Sequence, residues 1–302
     1  MLSINTNTAS MAAVNAINKS SQSLSTSMER LATGNRINSS ADDAAGKQIA
    51  NRLTAQSSGM GVAMNNINDA TAMLQTADSM FDEMSDVLGR MKDLSTQAAN
   101  GTYSDDDLQA MQDEYDELGQ QMSDMLQNTT YGGTNLFGTS GTSNTGKDGL
   151  FQSAVTFQVG AESSDTMTVD ISSQLGNLVN DLKSVSATFS ADQSASGASA
   201  SGGTELTASG SANQMITSLQ TAMDDVSKIQ SKLGASINRL NDTANNLTSM
   251  KDNTEVAIGN IMDTDYATEA SNMTQQQVLQ QTGISMLKQA NSMSSMVSSL
   301  LQ

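Results

Sequence analysis

Cysteine, histidine, tryptophan and proline are all missing from this 302-residue chain. Without Cys and His there are no ligands for a zinc finger, no thiol chemistry, no haem attachment, no Ser-His-Asp triad and no His-Glu-x-x-His peptidase motif. Any catalysis would rest on carboxylates, Lys, Tyr or Ser alone. Without proline, where about 5% is usual, long uninterrupted helices are permitted outside the glycines. Aromatic residues make up 3% of the chain, so its packing groups are Leu, Ile, Ala and 21 Met. The opening "MLSINTNTAS" has neither a basic nor an apolar leader region, and no stretch is apolar for long enough to span a bilayer. The expectation is a chain with no cleaved secretory signal and no membrane span.

Charge is scarce in particular places. The net charge is −18, which argues against nucleic acid and anionic membranes as partners. Fourteen of the 32 acids lie between residues 51 and 130, whereas residues 1–40 and 270–302 hold five charges between them. The middle reads as a solvated surface and the ends do not.

What is present is helical periodicity. Val14, Ile17, Ser21, Leu24, Met28 and Leu31 recur at alternating steps of three and four, as do Leu279, Gly283, Met286, Ala290, Met293, Val297 and Leu300. Both terminal segments therefore carry coiled-coil seams, too polar for a membrane and in need of a partner. Between them, Met60, Ala63, Ile67, Ala70, Leu74, Ala77, Phe81, Met84, Leu88 and Met91 keep the same spacing, which predicts one long helix from about residue 41 to 99 with Gly101 as its cap. "SDDD" at 104–107 reads as an N-cap and acidic first turn rather than a calcium loop, because loop glycines and a distal Glu are lacking. Leu108, Met111, Tyr115, Leu118, Met122 and Met125 then form the stripe of a helix folding back on the first.

After "NTTYGGTNLFGTSG" the pattern changes. "AVTFQV" (154–159) and "TMTVDI" (166–171) predict a β-hairpin, and a short helix follows at 175–185. Residues 186–213 turn to Ser, Ala, Gly and Thr, and read as a thin insertion at the tip of the rods. A last rod starts near Ala212, carries Leu219, Met223, Val226, Gln230, Leu233, Ile237, Leu240, Ala244 and Leu247, and ends near 250–256. The expected fold is mainly α: antiparallel helical rods with a small β-hairpin tip and terminal helices pairing as a coiled coil. The expected segments are 1–40, 41–185, 186–213, 214–256 and 257–302.

Three stretches go beyond periodicity: "ERLATGNRINSSADDAAGKQIANRL" (29–53), "LSTQAANGTYS" (94–104) and "DTDYATEASNMTQQQVLQQTGISMLKQAN" (263–291). Through them the chain closely resembles bacterial flagellin over roughly 1–137 and 213–302. A generic coiled-coil scaffold would share the heptads but not these motifs, and hook–filament junction proteins, the other alternative, share mainly the terminal helices. The resemblance implies a non-enzymatic filament subunit without cofactors, exported unfolded through the flagellar type III apparatus and located outside the cell. It implies self-association through Val14, Ile17, Leu24, Met28, Leu31, Leu279, Met286, Met293, Val297 and Leu300. Further implied partners are an export chaperone at the C-terminal segment, the filament cap and hook-associated proteins, and innate immune receptors of hosts.

The positions that match an animal Toll-like receptor's docking surface are Leu88, Arg90, Leu94, Gln97 and Glu114. Gly89, Met91 and Lys92 depart from the family's usual residues there. Asp42, Asp43 and Gly46 match the peptide read by plants, with Lys47 replacing the usual Leu. Order in the terminal segments is expected from the assembled filament, where their seams find partners.

Overall fold

The computed structural model describes residues 7–138, 149–189, 203–208 and 210–300, with side chains in the last helix described through Met293. Six helices carry most of the chain: α1 (Thr8–Thr33), α2 (Ala44–Ala98), α3 (Asp105–Asn128), α4 (Ser172–Val185), α5 (Ser211–Met262) and α6 (Tyr266–Leu300). Two short antiparallel hairpins lie between α3 and α4. The first pairs β1 (Thr130–Tyr131) with β2 (Thr134–Asn135), and the second pairs β3 (Val155–Gln158) with β4 (Thr166–Val169). The fold is mainly helical, as the sequence predicts, and it falls into a terminal unit (1–58 with 250–302) and a central unit (59–249).

In the central unit the predicted stripe of α2 becomes its core. Met60, Ala63, Ile67, Ala70, Leu74, Ala77, Phe81, Met84, Leu88 and Met91 are all buried. α5 packs against α2 antiparallel. As α2 advances from Met64 to Asp82 to Lys92, its hydrogen-bonded partner on α5 steps back by the same interval, from Thr248 to Gln230 to Gln220. Leu219, Val226, Leu233, Leu240 and Leu247 of α5 are buried along this contact. α3 begins as expected: Ser104 Oγ and the Asp107 carboxylate form a reciprocal capping box, and the hydroxyl and amide of Ser104 hold that carboxyl below its usual pKa. Gly101 does not adopt a left-handed conformation. The α2–α3 turn is closed by backbone bonds from Ala99 to Ser95 and from Asn100 to Gln97.

The hairpin predicted at 154–171 forms over slightly shorter strands. β1–β2 is an addition to the predicted elements: Gly132 (φ 58°) and Gly133 (φ 82°) make a two-residue turn of type I′, whose positive φ values glycine accepts without strain. Phe137, just beyond it, meets Phe81 edge-on at 5.0 Å and stacks on Phe151 at 5.5 Å, fastening this segment to α2.

The ends of the stretch read as a thin insertion are firmly held. Phe189 and Leu206 are buried. Gln112 of α3 donates to both Asp116 and Glu205 and accepts from the Leu206 amide, while Thr188 donates to the Asp116 carbonyl. Ser186 and Thr188 hydroxyls meet at 2.8 Å directly over Gly119, where a side chain would collide with both. Residues 190–202 and 209 lie outside the described residues.

Candidate assembly interface

The terminal unit is built on α1 paired antiparallel with α6. Asn7 caps α1, its carbonyl oxygen accepting from the Ser10 amide, and its amide group donates to the carbonyl of Ala290 near the far end of α6. At the other end Arg30 lies 3.9 Å from the buried carboxylate of Glu269. Midway, Gly283 admits Ile17: a Cβ on the glycine would stand 2.8 Å from Ile17 Cγ1. Glycine costs a helix interior about 1 kcal/mol relative to alanine, and here that cost allows close backbone approach.

Burial shows which faces are used. On α1 the more covered positions include Ser10, Ala13, Ile17, Ser20, Leu24, Ser27 and Leu31; on α6 they are Glu269, Met273, Gln276, Gln280, Gly283, Leu287 and Ala290. Both sets keep steps of three and four, so the pair is a coiled-coil-like seam of small and polar residues punctuated by a few aliphatic ones. Ile17, Leu24 and Leu31 of the predicted seam lie on it. Val14 (40% exposed), Met28 (48%), Leu279 (47%), Met286 (63%) and Met293 (58%) do not. Met11 and Ile284 join them as large exposed apolar side chains of these helices. The side chains of Val297 and Leu300 lie outside the described residues. Each helix therefore carries two registers, an inner one, largely small and polar, spent within the chain and an apolar one left outward.

The two connections at the base of this pair are stitched together. α1 stops at Gly34, whose φ of 75° ends the helix while its amide bonds to the Arg30 carbonyl. The Thr264 amide then donates to Gly34, the Arg36 amide to Met262, and the Arg36 guanidinium to Ile261. This pairing explains why α5 runs past the expected end near 250–256: its last turn is fixed by contacts with residues over two hundred positions earlier. Asp265 opens α6 by accepting from the Thr268 hydroxyl and from the Thr268 and Ala267 amides, which holds its carboxyl below the ordinary value.

The same loop contains Asp42 and Asp43, and the third position singled out near 42, Gly46, lies in the first turn of α2. Asp42 accepts from the amide and hydroxyl of Ser39 and the amide of Asn38, and these bonds lower its pKa. Asp43 stands before α2 and accepts from the Gly46 amide. Gly46 is buried because Ile37 closes over it, and a Cβ at this position would stand 2.8 Å from Ile37 Cδ1. In the central unit, Arg90 of α2 reaches Glu114 of α3 through two bonds of 2.8 and 2.6 Å, in the open, and Gln97 donates to Tyr103. Leu88 and Leu94 instead point into the core.

Two family models cover both ends of the chain in order: the bacterial flagellin N-terminal helical region over residues 4–142 and the bacterial flagellin C-terminal helical region over 216–301. Flagellin A of Vibrio anguillarum is 33% identical over the full length of both chains. The chain belongs to the flagellin family. Flagellin of Listeria innocua is 30% identical across 99% of each chain. A structure from Vibrio parahaemolyticus described as a flagellar hook-associated protein shares the fold, with a TM-score of 0.52 and 16% identity over 74% of this chain and all of that one.

Flagellins are the filament subunits of the bacterial flagellum and serve motility. This flagellin is accordingly a structural, non-enzymatic protein that self-assembles into the filament. Among the described residues no helix is long and apolar enough to cross a membrane.

Proposed function

We propose that the outward apolar register of α1 and α6 is the polymerisation surface of this flagellin. Val14, Met28, Leu279, Met286 and Met293 stand in solvent on helices with almost no charge, and this single observation carries the reading. Ile17, Leu24 and Leu31 contribute by holding α1 against α6, so that the pair presents its outer stripes together. The heptad position of Leu300 continues the line of Leu279, Met286 and Met293, and that of Val297 continues the line of Gly283 and Ala290. Before assembly these residues lack cover, which favours export of the chain unfolded through the flagellar type III channel and a chaperone that shields the C-terminal segment. The filament cap and hook-associated proteins meet the same helices at the filament ends.

Host receptors take different surfaces. Arg90, Gln97 and Glu114 form an exposed polar patch suited to a Toll-like receptor, with Leu88 and Leu94 fixing the helix beneath it. Asp42 and Asp43 are committed to the loop before α2 and Gly46 to the first turn of that helix, so a plant receptor reading them as a peptide requires this segment to be released.

Removing residues 281–302 tests the assembly reading. The truncated chain is expected to keep the helical fold of its central unit, measured by circular dichroism, and to yield no sedimentable polymer. Normal filaments from it would overturn the proposal. Limited proteolysis of the intact chain should cut α1 and α6 in the monomer and spare them in the polymer.

A further inference from the structure

The methionines of this chain are sorted by exposure. Every methionine described in the central unit is buried or half-buried, from Met60 and Met84 to Met122 and Met223. Among the described residues the exposed ones are Met11, Met28, Met250, Met286 and Met293, all in the terminal unit. Four of these five lie on α1 and α6. Met28, Met286 and Met293 are moreover members of the outward register, where Leu279 and Val14 show that an unreactive aliphatic side chain is accepted.

We infer that Met28, Met286 and Met293 are oxidation sites whose conversion to the sulfoxide blocks filament assembly, making polymerisation sensitive to peroxide. The inference rests on the assembly reading above. The thioether sulfur attacks one oxygen of hydrogen peroxide, the O–O bond breaks, an S–O bond forms, and water leaves. Sulfur is oxidised by two electrons and the peroxide is reduced by two. A flexible apolar side chain becomes a polar one that must lose its hydration to enter an apolar contact. Losing one methionine's worth of apolar burial corresponds to roughly a tenfold rise in the critical concentration per site. Oxidation acts only before assembly, since burial in the filament covers the sulfur. The core thioethers, also covered, leave the fold intact meanwhile.

The test treats the full-length monomer with hydrogen peroxide and maps sulfoxides by peptide mass spectrometry. Met28, Met286 and Met293 should oxidise well before Met60, Met84, Met91 and Met122, with the far-ultraviolet spectrum unchanged. The treated chain should fail to polymerise, and methionine sulfoxide reductase should restore it; this arm needs no variant. Whatever its own critical concentration, the Met28→Leu, Met286→Leu, Met293→Leu chain should show the same value before and after treatment. Pre-formed filaments should resist oxidation at the same three positions. Uniform oxidation of core and surface methionines, normal assembly of the oxidised chain, or equal damage in the leucine variant overturns the inference. A Met286→Gln, Met293→Gln chain, tested without oxidant, separates the two readings. If it polymerises like the parent, the assembly surface itself is wrong. If it does not, while the oxidised parent does, only the oxidation proposal falls.

Discussion

Replacing Gly119 by alanine sets two opposed effects against each other. Gly119 lies within α3, where alanine is favoured over glycine by about 1 kcal/mol on helix propensity alone. Its new Cβ, however, would sit 2.2 Å from Ser186 Oγ and 2.5 Å from Thr188 Oγ1. Both hydroxyls are buried, bond to each other at 2.8 Å, and Thr188 donates to the Asp116 carbonyl at 3.0 Å. Moving them aside disrupts two buried hydrogen bonds, each costing about 1–3 kcal/mol when left unmade. The net effect is a destabilisation of about 3 kcal/mol.

Urea unfolding of the monomer, followed by circular dichroism, measures this loss. Gly89→Ala is the matched control: it also lies within a long helix, but its Cβ meets nothing within 4 Å, so the same substitution should stabilise by about 0.5–1 kcal/mol. In a Ser186→Gly background, Gly119→Ala should lose much less than in the parent. A Gly119→Ala chain as stable as the Gly89→Ala chain would refute the claim that α3 and the 186–188 segment are in contact through bare backbone.

Asp43→Ala removes the acceptor for the Gly46 amide and should lower thermal stability by about 1 kcal/mol, with Asp43→Asn retaining most of it. Acid should weaken the caps only at low pH. The carboxyls of Asp42, Asp107 and Asp265 are held below their usual values by hydrogen bonds, so their contribution is complete above the unfolded pKa of about 3.9 and is lost as pH falls through the lower folded values. Asp78 and Asp181, raised mainly by burial and next by Asp82 and Asp225 respectively, work in the opposite direction, their relative destabilisation growing as pH rises. A melting-temperature profile between pH 2 and pH 6 should therefore flatten at low pH in the Asp107→Asn, Asp265→Asn chain. Shortening the chain between Ser190 and Gly202 while keeping Ser186, Thr188, Glu205 and Leu206 should preserve both folding and filament formation, read by unfolding midpoint and sedimentation; loss of polymer would show that the segment bridges subunits.

The sequence made the core of the central unit legible because one face of α2 is covered along its whole length, by α5 and, at Phe81, by Phe137, so period and burial coincide at every step from Met60 to Met91. The Ser104–Asp107 cap was legible because it is a purely local exchange of hydrogen bonds. The inner seam of α1 and α6 was not. Periodicity picks out the bulkiest apolar residues, whereas close approach selects small ones, and on α6 Gly283 and Ala290 belong to both registers. Burial alone separates Leu287, turned inward, from Met286, turned outward. The true end of α5 and the β1–β2 hairpin escaped for other reasons. One is set by backbone bonds to Gly34 and Arg36, far away in sequence, and the other consists of strands too short to show alternation.

The bond between Asn7 and Ala290 joins positions 283 residues apart. At a synthesis rate of about 5–20 residues per second, α1 emerges roughly 15–60 s before the strand that pairs with it exists. During that interval no local rearrangement can complete the terminal unit, because its contacts join residues more than two hundred positions apart. The Ser and Asn residues that dilute both terminal helices suit that delay: a segment so rich in polar side chains stays soluble without its partner.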